Sequence, residues 1–201
     1  MRPLPARFYP IVHTVPWIER LVRLGAGTVQ LRAKDLPHDH AVRLVRQALA
    51  ATHGTGTALV VNDYWRAAIE AGAHHVHLGQ DDLAGADVPA IRRAGLTLGL
   101  STHDDEELEA ALRHDPDYVA LGPIYPTTSK HVAFAAQGLA RITAWKRRIG
   151  ALPLVAIGGI TLERAPAVFA AGADSIAVVS DVTQAVDPDA RVREWLALVK
   201  A

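Results

Sequence analysis

Cysteine is absent from the 201 residues of this chain, which excludes thiol catalysis, Cys-ligated zinc and disulfide bonds. Neither sign of charge is in excess, because 21 Lys and Arg residues balance 21 Asp and Glu residues. This balance argues against a broad nucleic-acid interface but leaves local phosphate-binding clusters open. The chain also lacks an apolar stretch long enough for a spanning helix or a signal peptide. We therefore expect a cytoplasmic, soluble domain of the size of an enzyme, with neither nucleic acid nor membrane as a partner.

Length and segment pattern together predict the fold class. At this length the chain is expected to form one domain, residues 1–201. Short apolar strands alternate with helical segments, and an Ala-Gly stop precedes several strands, as at Ala71-Gly72 and Ala171-Gly172. Roughly eight such βα units are present, the number that closes a parallel barrel. We therefore predict an α/β protein with a single (β/α)8 TIM barrel and short loops. An open doubly wound sheet is the alternative, disfavoured because no G-x-G-x-x-G follows the first strand.

The residue pattern places each strand and helix. Strands are predicted at residues 8–12, 28–34, 58–62, 75–80, 97–101, 118–122, 154–157 and 175–179, and helices at 16–24, 40–51, 65–71, 88–94, 106–113, 137–149, 162–171 and 190–199. One connection, residues 123–136, is too long for this pattern and is predicted to be an active-site loop.

The last two predicted strands end in residues suited to binding phosphate. The first of them closes on Gly158 and Gly159, which let a backbone approach a ligand and present free N–H groups. The second ends at Val179 and Ser180. Because the loops after the final strands of such barrels commonly bind phosphate, we predict a phosphate site here.

Polar and basic side chains alternate with apolar ones in the second predicted strand. Gln30, Arg32 and Lys34 alternate along it and would share one face. Arg offers a bidentate fork and Lys a point charge, and both suit phosphate oxygens. A solvated strand end whose charges form ion pairs is the alternative reading.

Carboxylates follow the next two strands. Asn62 and Asp63 close the third, and Gln80, Asp81 and Asp82 close the fourth. Mg²⁺ binds through one or two carboxylates together with substrate phosphates, so these strand ends are a candidate magnesium site. Capping of the following helices is the alternative for either Asp. We interpret Asp81 as solvated or structural.

The histidines near the fourth and fifth predicted strands are weaker candidates for metal binding or catalysis. His75 and His77 alternate along one strand and could bind a metal, but a local hydrogen bond is the more common role. Ser101 and His103 share a face at the fifth strand end, without an evident orienting acid for nucleophilic chemistry. We therefore interpret Ser101 as a ligand-binding residue.

Seven motifs occur in order from the second predicted strand to the eighth. They are Gln30-Leu-Arg-Ala-Lys34, Val61-Asn-Asp63, His77-Leu-Gly-Gln-Asp-Asp82, Gly99-Leu-Ser-Thr-His103, Gly122-Pro-Ile-Tyr-Pro-Thr-Thr-Ser-Lys130, Ala156-Ile-Gly-Gly-Ile160 and Ala177-Val-Val-Ser180. In this order they resemble the thiamine phosphate synthase family. The resemblance implies a (β/α) barrel that joins hydroxymethylpyrimidine pyrophosphate to a thiazole phosphate, giving thiamine phosphate and pyrophosphate. It also implies a dissociative reaction that depends on Mg²⁺.

The same resemblance assigns roles by position. The pyrimidine pyrophosphate ligands it implies are Gln30, Arg32, Lys34, Asn62, Ser101 and Lys130; the Mg²⁺ ligands are Asp63 and Asp82; and the thiazole phosphate ligands are Thr127, Thr128, Ser129, Gly159, Val179 and Ser180. The candidate catalytic residues among them are Arg32, Lys34, Ser101 and Lys130.

Two departures from the family pattern stand out. Ser129 occupies a position where the family often has Thr, and His13-Thr14 ends the first strand where an acidic residue is expected. Two related functions are alternatives: a thiazole tautomerase, and a non-catalytic paralogue that binds thiazole phosphate. Retention of Asp63 and Asp82 argues against both. The sequence leaves a homo-oligomer open.

Overall fold

A closed barrel of eight parallel strands forms the centre of the computed structural model, which describes residues 5–127 and 135–200. The strands neighbour one another in sequence order, and β8 pairs with β1 to close the barrel. This architecture confirms the predicted TIM barrel. The strands are β1 (Phe8–Val12), β2 (Thr28–Leu31), β3 (Ala58–Asn62), β4 (His75–Leu78), β5 (Thr97–Thr102), β6 (Tyr118–Leu121), β7 (Leu154–Ile157) and β8 (Ser175–Val178).

Helices cover the outside of the barrel. Within the described residues, no helix is both long enough and apolar enough to cross a membrane. The helices are α1 (Val15–Leu24), α2 (His38–Thr52), α3 (Trp65–Ala71), α4 (Gln80–Ala84), α5 (Val88–Arg93), α6 (Asp105–Leu112), α7 (Gly138–Ile149), α8 (Ala165–Ala170), α9 (Ser180–Thr183) and α10 (Pro188–Leu198).

The ends of β2, β4 and β8 differ from the prediction. β2 ends at Leu31, so Lys34 lies on the following connection, and the prediction that it shares a strand face is wrong. Arg32 still extends the pairing, because its N–H donates to the carbonyl of Val12 at 2.8 Å. β4 ends at Leu78 because the chain then enters α4, and β8 ends at Val178, ahead of α9. These two short helices were not predicted.

Strand alternation divides the core into two layers. One face of each strand packs outward against the helices, where Val29, Val76 and Leu98 are fully buried. The other face fills the barrel interior, in a smaller cluster that includes Tyr9, Tyr118, Val60, Val155 and Ala177. Because the outer layer is largely apolar, it supplies most of the hydrophobic burial and leaves the interior free to hold polar groups.

A glycine on β5 makes room for the largest side chain in the interior. Tyr118 lies in β6, and its ring crosses the barrel over Gly99, with which it is in register. A Cβ built on Gly99 would lie 2.0 Å from Cζ of Tyr118, far inside van der Waals contact. Any larger residue at this position must therefore displace the tyrosine ring.

We expect Gly99→Ala to destabilise the fold because the added methyl group overlaps the ring of Tyr118. Overpacking of this kind typically lowers the free energy of unfolding by about 1–3 kcal/mol. Urea denaturation of the purified variant measures the change.

Gly85→Ala is the matched control, since a Cβ there would meet its nearest neighbour only at 4.0 Å and the residue has φ −100. Its free energy of unfolding should change by less than about 1 kcal/mol. Equal stabilities for the two variants would contradict the steric role of Gly99.

Candidate active site

A cavity of about 520 Å³ opens at the carboxyl ends of the barrel strands. This volume falls within the range of small-molecule sites. Every described residue that the sequence predicted for the site lines this cavity: Gln30, Arg32, Lys34, Asn62, Asp63, Asp82, Ser101, Thr127, Gly159, Val179 and Ser180. The predicted residues Thr128, Ser129 and Lys130 lie outside the described residues, as does half of the predicted loop.

The cavity wall has two chemically different sides. The side formed after β2 to β5 carries the amide, cationic and carboxylate groups named above. The opposite side, after β6 to β8, carries Val155, Ile157, Ala177 and the glycine pair Gly158 and Gly159. A cavity divided in this way suits two ligands, one polar and anionic and the other partly apolar.

His13, which directly follows the first strand where the family pattern has an acidic residue, holds the backbone of Arg32 in place. His13 Nδ1 donates a hydrogen bond of 2.7 Å to the carbonyl oxygen of Arg32. Together with the bond from the Arg32 N–H to Val12, this fixes both backbone polar groups of Arg32. His13 therefore joins the ends of β1 and β2 beneath the cationic side of the cavity.

Asp63 adopts an unusual backbone conformation. Its φ of 64 lies in the left-handed region, which is uncommon for residues other than glycine but tolerated by Asp and Asn. The conformation is held because the Asp63 N–H donates to the carbonyl of His77 at 2.9 Å, and its carbonyl accepts from the N–H of Trp65 at 2.7 Å. Strain of this kind is often found at functional positions.

The carboxyl groups of Asp63 and Asp82 lie side by side. Burial and the charge and hydrogen bond of Asp82 raise the pKa of Asp63 from its ordinary 3.8 to about 6, although Lys34 and the Gly79 N–H oppose the rise. Two carboxylates this close repel each other unless a proton or a cation lies between them. The pair therefore fits a divalent cation, and Lys34 is near enough to neutralise an anion beside it.

Neither of these carboxylates caps a helix. The N-cap residues of α3 and α4 are Tyr64 and Gly79, and neither helix has a side-chain cap. Capping by Asp occurs elsewhere, where Asp87 and Asp104 accept hydrogen bonds from the first turns of α5 and α6. The capping alternative for Asp63 and Asp82 is therefore wrong.

Gln80 was not predicted as a site residue. It begins α4, and its Nε2 donates a hydrogen bond of 2.5 Å to the carbonyl of Ser101 in β5. This contact anchors the helix that carries Asp82 to the neighbouring strand. The position of Asp82 relative to Ser101 thus depends on α4. This helix has only five residues, too few to give a helical pattern in the sequence.

The structure shows the hydrogen-bond partners of the two histidines at the site. His77 Nε2 lies 2.8 Å from Ser101 Oγ, and His77 Nδ1 lies 3.0 Å from the hydroxyl of Tyr118. The local hydrogen-bonding role expected for His77 is thereby confirmed. His103 instead pairs with Glu107, whose carboxylate accepts from both the imidazole at 2.7 Å and the backbone N–H at 2.8 Å. Glu107 was missed because its role depends on the turn into α6.

The loop after β6 packs closely on the glycine pair. The N–H groups of Ile124 and Tyr125 donate to the carbonyls of Ile157 and Gly158 at 2.9 and 3.0 Å. Gly159 has φ 63, and a Cβ there would lie 2.5 Å from the carbonyl oxygen of Pro126. Both glycines are therefore required for the loop to reach the cavity rim.

Arg164 completes this contact. Its guanidinium lies 4.5 Å from the centre of the Tyr125 ring and donates to the carbonyl of Gly159. A cation–π contact of this kind links the two loops on the glycine side of the cavity.

The raised pKa of Asp63 predicts a stability that falls with pH in the absence of divalent cations. Between its unfolded value of 3.8 and its folded value of about 6, the folded protein keeps a proton that the unfolded chain has lost. The free energy of unfolding therefore decreases as pH rises through this window. Asp63→Asn removes this titration and tolerates the same left-handed backbone.

We expect the variant to gain more stability over the unmutated protein near pH 7 than near pH 4, as measured by urea denaturation in EDTA. Mg²⁺ added near pH 7 should stabilise the unmutated protein more than the variant. A stability difference that does not vary with pH would contradict the shared-proton description of the pair.

Comparison with known proteins identifies the family. The family model described as thiamine monophosphate synthase matches residues 8–182. A thiamine-phosphate synthase of Rhizobium etli is 57% identical over 190 residues, which cover 94% of this chain and 93% of that protein. A thiamine-phosphate synthase of Neisseria meningitidis serogroup A is 50% identical over 194 residues, covering 96% of this chain and 95% of that protein.

Solved structures agree with the sequence comparison. A thiamine phosphate pyrophosphorylase from Pyrococcus furiosus superposes with a TM-score of 0.84 at 25% identity, covering 96% of this chain and 95% of that one. A 3-hexulose-6-phosphate synthase superposes with a TM-score of 0.70 at 16% identity, which shows the shared barrel fold alone. With its barrel, its cavity and these relatives, the chain belongs to the thiamine monophosphate synthase family.

Proposed function

We propose that this protein joins hydroxymethylpyrimidine pyrophosphate to thiazole phosphate, forming thiamine phosphate and releasing pyrophosphate. Membership of the family supports this activity, as do relatives that carry its name over almost their whole length. The observation that carries the proposal is the adjacency of Asp63 and Asp82 at the mouth of a cavity that also presents Arg32 and Lys34. Carboxylates and cations combined in this way suit a pyrophosphate that arrives with a divalent cation.

The polar side of the cavity is proposed to hold the pyrimidine pyrophosphate. Arg32 and Lys34 supply cationic donors for phosphate oxygens. Gln30 and Asn62 are 2% and 6% exposed, so their amides are desolvated and can bond strongly to a ligand. Ser101 adds a hydroxyl at the end of β5.

Asp63 and Asp82 are proposed to hold Mg²⁺. Mg²⁺ prefers oxygen ligands and is commonly bound by one or two carboxylates and by substrate phosphates, which matches this pair. When bound, the ion would neutralise negative charge on the departing pyrophosphate. Removal of the repulsion between the two carboxylates would contribute to its binding, because the charge of Asp82 already raises the pKa of Asp63.

The glycine side of the cavity is proposed to hold the thiazole phosphate. Thr127, Gly159, Val179 and Ser180 meet there at the ends of three neighbouring strands. The apolar side chains Ile157 and Ala177 lie beside them and suit an uncharged ring face. The roles of Thr128, Ser129 and Lys130 stay predictions from the sequence.

The proposed reaction requires little acid–base chemistry from the chain. As the bond to pyrophosphate breaks, Arg32 and Lys34 stabilise the negative charge that develops on the leaving group. The positive pyrimidine methylene that remains is captured by the thiazole nitrogen, so the two rings must be held close and kept from water. The packed loop from Pro123 to Thr127 covers the glycine side and serves that purpose.

The comparisons give no support to the tautomerase or to the non-catalytic paralogue. Cytoplasmic location and the absence of nucleic-acid partners stay predictions from the composition. A direct assay supplies both substrates with Mg²⁺ and measures pyrophosphate release. Conversion of thiazole phosphate alone, or its binding without pyrophosphate release, would contradict the proposed function.

Asp82→Asn tests the metal site. Loss of one carboxylate should raise the Mg²⁺ concentration for half-maximal turnover by roughly 10- to 100-fold, judged from the effect of losing groups around metal sites. The measurement is a Mg²⁺ titration of pyrophosphate release.

Asp81→Asn is the control, because it removes the same charge from the adjacent residue of α4. It should change the Mg²⁺ requirement much less. If both variants needed the same Mg²⁺ concentration as the unmutated protein, Asp82 would have no role as a metal ligand.

A further inference from the structure

A continuous chain of hydrogen-bonded side chains crosses the barrel interior along the floor of the cavity. Gln30 Nε2 donates to the Tyr9 hydroxyl at 2.8 Å, and the hydroxyls of Tyr9 and Tyr118 lie 3.1 Å apart. The Tyr118 hydroxyl lies 3.0 Å from His77 Nδ1, and His77 Nε2 lies 2.8 Å from Ser101 Oγ. This interior chain therefore joins side chains on five strands, and both of its ends, Gln30 and Ser101, line the cavity.

The three middle members of the interior chain are shielded from solvent. Tyr9, Tyr118 and His77 are 1%, 0% and 6% exposed, so solvent cannot replace their partners. The ring of His77 stacks on that of Tyr118 with centroids 5.5 Å apart and planes inclined by 21°, which fixes the plane of the imidazole. Since a buried polar group without a partner is costly, each link in the interior chain must be made.

The proton count gives the interior chain a direction. The hydroxyl of Tyr9 accepts from Gln30, so its own proton must go to Tyr118, its other partner among the described residues. The proton of Tyr118 then goes to His77 Nδ1, which leaves the His77 N–H at Nε2 to donate to Ser101. Ser101 consequently accepts from the chain, and its own proton is left for a ligand.

All middle members are neutral near pH 7, as this count requires. His77 is buried and both of its ring nitrogens lie beside hydroxyl groups, which suits a neutral imidazole, and burial raises the pKa values of both tyrosines far above neutrality. Because each of these groups carries one proton for hydrogen bonding, no single hydrogen bond in the interior chain can change direction unless the others change too. Rotation of the Gln30 amide would require every later link to reverse, and Ser101 would then become an acceptor for the ligand.

We propose that Tyr9, Tyr118 and His77 are positioning residues that fix opposite hydrogen-bonding characters at the two ends of the interior chain. Gln30 presents its amide oxygen to the cavity as an acceptor, and Ser101 presents its hydroxyl proton as a donor. The arrangement selects a ligand that carries an N–H donor on one edge and an acceptor atom on another. This inference rests on the proposed function, in which the pyrimidine pyrophosphate occupies the polar side of the cavity.

Tyr118→Phe removes the oxygen that joins Tyr9 to His77 and keeps the ring that packs over Gly99. His77 then loses the donor at Nδ1, and the direction of its link to Ser101 is no longer fixed. We expect the KM for pyrimidine pyrophosphate to rise roughly tenfold, the size expected for one buried hydrogen bond, with the KM for thiazole phosphate unchanged. Tyr9→Phe should have the same selective effect and serves if Tyr118→Phe does not fold.

Nitrogen-15 NMR of the histidine ring reports the direction directly. In the unmutated protein, His77 should be protonated at Nε2 and bare at Nδ1, and in Tyr118→Phe the two tautomers should both be populated. A purely structural role for Tyr118 would leave the tautomer of His77 unchanged.

A double-mutant cycle between Tyr118→Phe and Ser101→Ala separates positioning from general destabilisation. If the interior chain acts through Ser101, Tyr118→Phe should have little further effect on the pyrimidine pyrophosphate KM once Ser101 is replaced. Ser175→Ala is the matched control, because it removes a fully buried barrel hydroxyl that bonds only the carbonyl of Ala6 at 2.6 Å among the described residues. It should change neither KM.

The outcomes distinguish this inference from the proposed function. If the unmutated protein releases no pyrophosphate, the proposed function fails, whereas the NMR tautomer still tests the direction of the chain. If it does release pyrophosphate, additive effects in the cycle, an unchanged tautomer, or equal changes in both KM values would overturn the inference alone.

Discussion

Closure of the sheet by the pairing of β8 with β1 is the constraint on which the rest of the structure depends. Phe8, Tyr9 and Pro10 lie in register with Ile176, Ala177 and Val178, so the first and last strands of the chain become neighbours. Because all eight strands are parallel, closure brings every carboxyl end to one rim. Residues as distant in sequence as Gln30 and Ser180 thereby meet around a single cavity, and the site exists only when the ring of strands is complete.

The two-layer core explains how a small barrel can keep polar groups inside. The apolar layer between strands and helices supplies the hydrophobic burial, so the interior does not have to be apolar as well. The interior instead holds the hydrogen-bonded chain from Gln30 to Ser101, in which each middle member has a partner on both sides. Gly99 is part of this arrangement, because a side chain at this position would keep the ring of Tyr118 from reaching His77.

The candidate metal site, formed by Asp63 and Asp82, is by itself unfavourable for the folded state. Asp63 combines a left-handed backbone with a half-buried carboxyl beside Asp82, and both features oppose folding. They persist because backbone hydrogen bonds from β4 and α3 hold the turn in place. A folded state that retains two adjacent carboxylates has a built-in preference for a cation, which is the physical basis of the proposed magnesium site.

Local sequence determined much of this protein. The apolar runs predicted the bounds of β1, β3 and β7 correctly, and the runs together with the Ala-Gly stops before other strands predicted the number of βα units, because strand and helix signals depend on residues a few positions apart. Motif order indicated the family, and every described residue that it predicted for the site lines the cavity. Tertiary structure decided where β2 and β4 end, the helix that carries Asp82, and the pairing of His77 with Ser101 instead of His103 with Ser101. Those features depend on contacts between strands far apart in sequence, and their energies exist only once the barrel has closed.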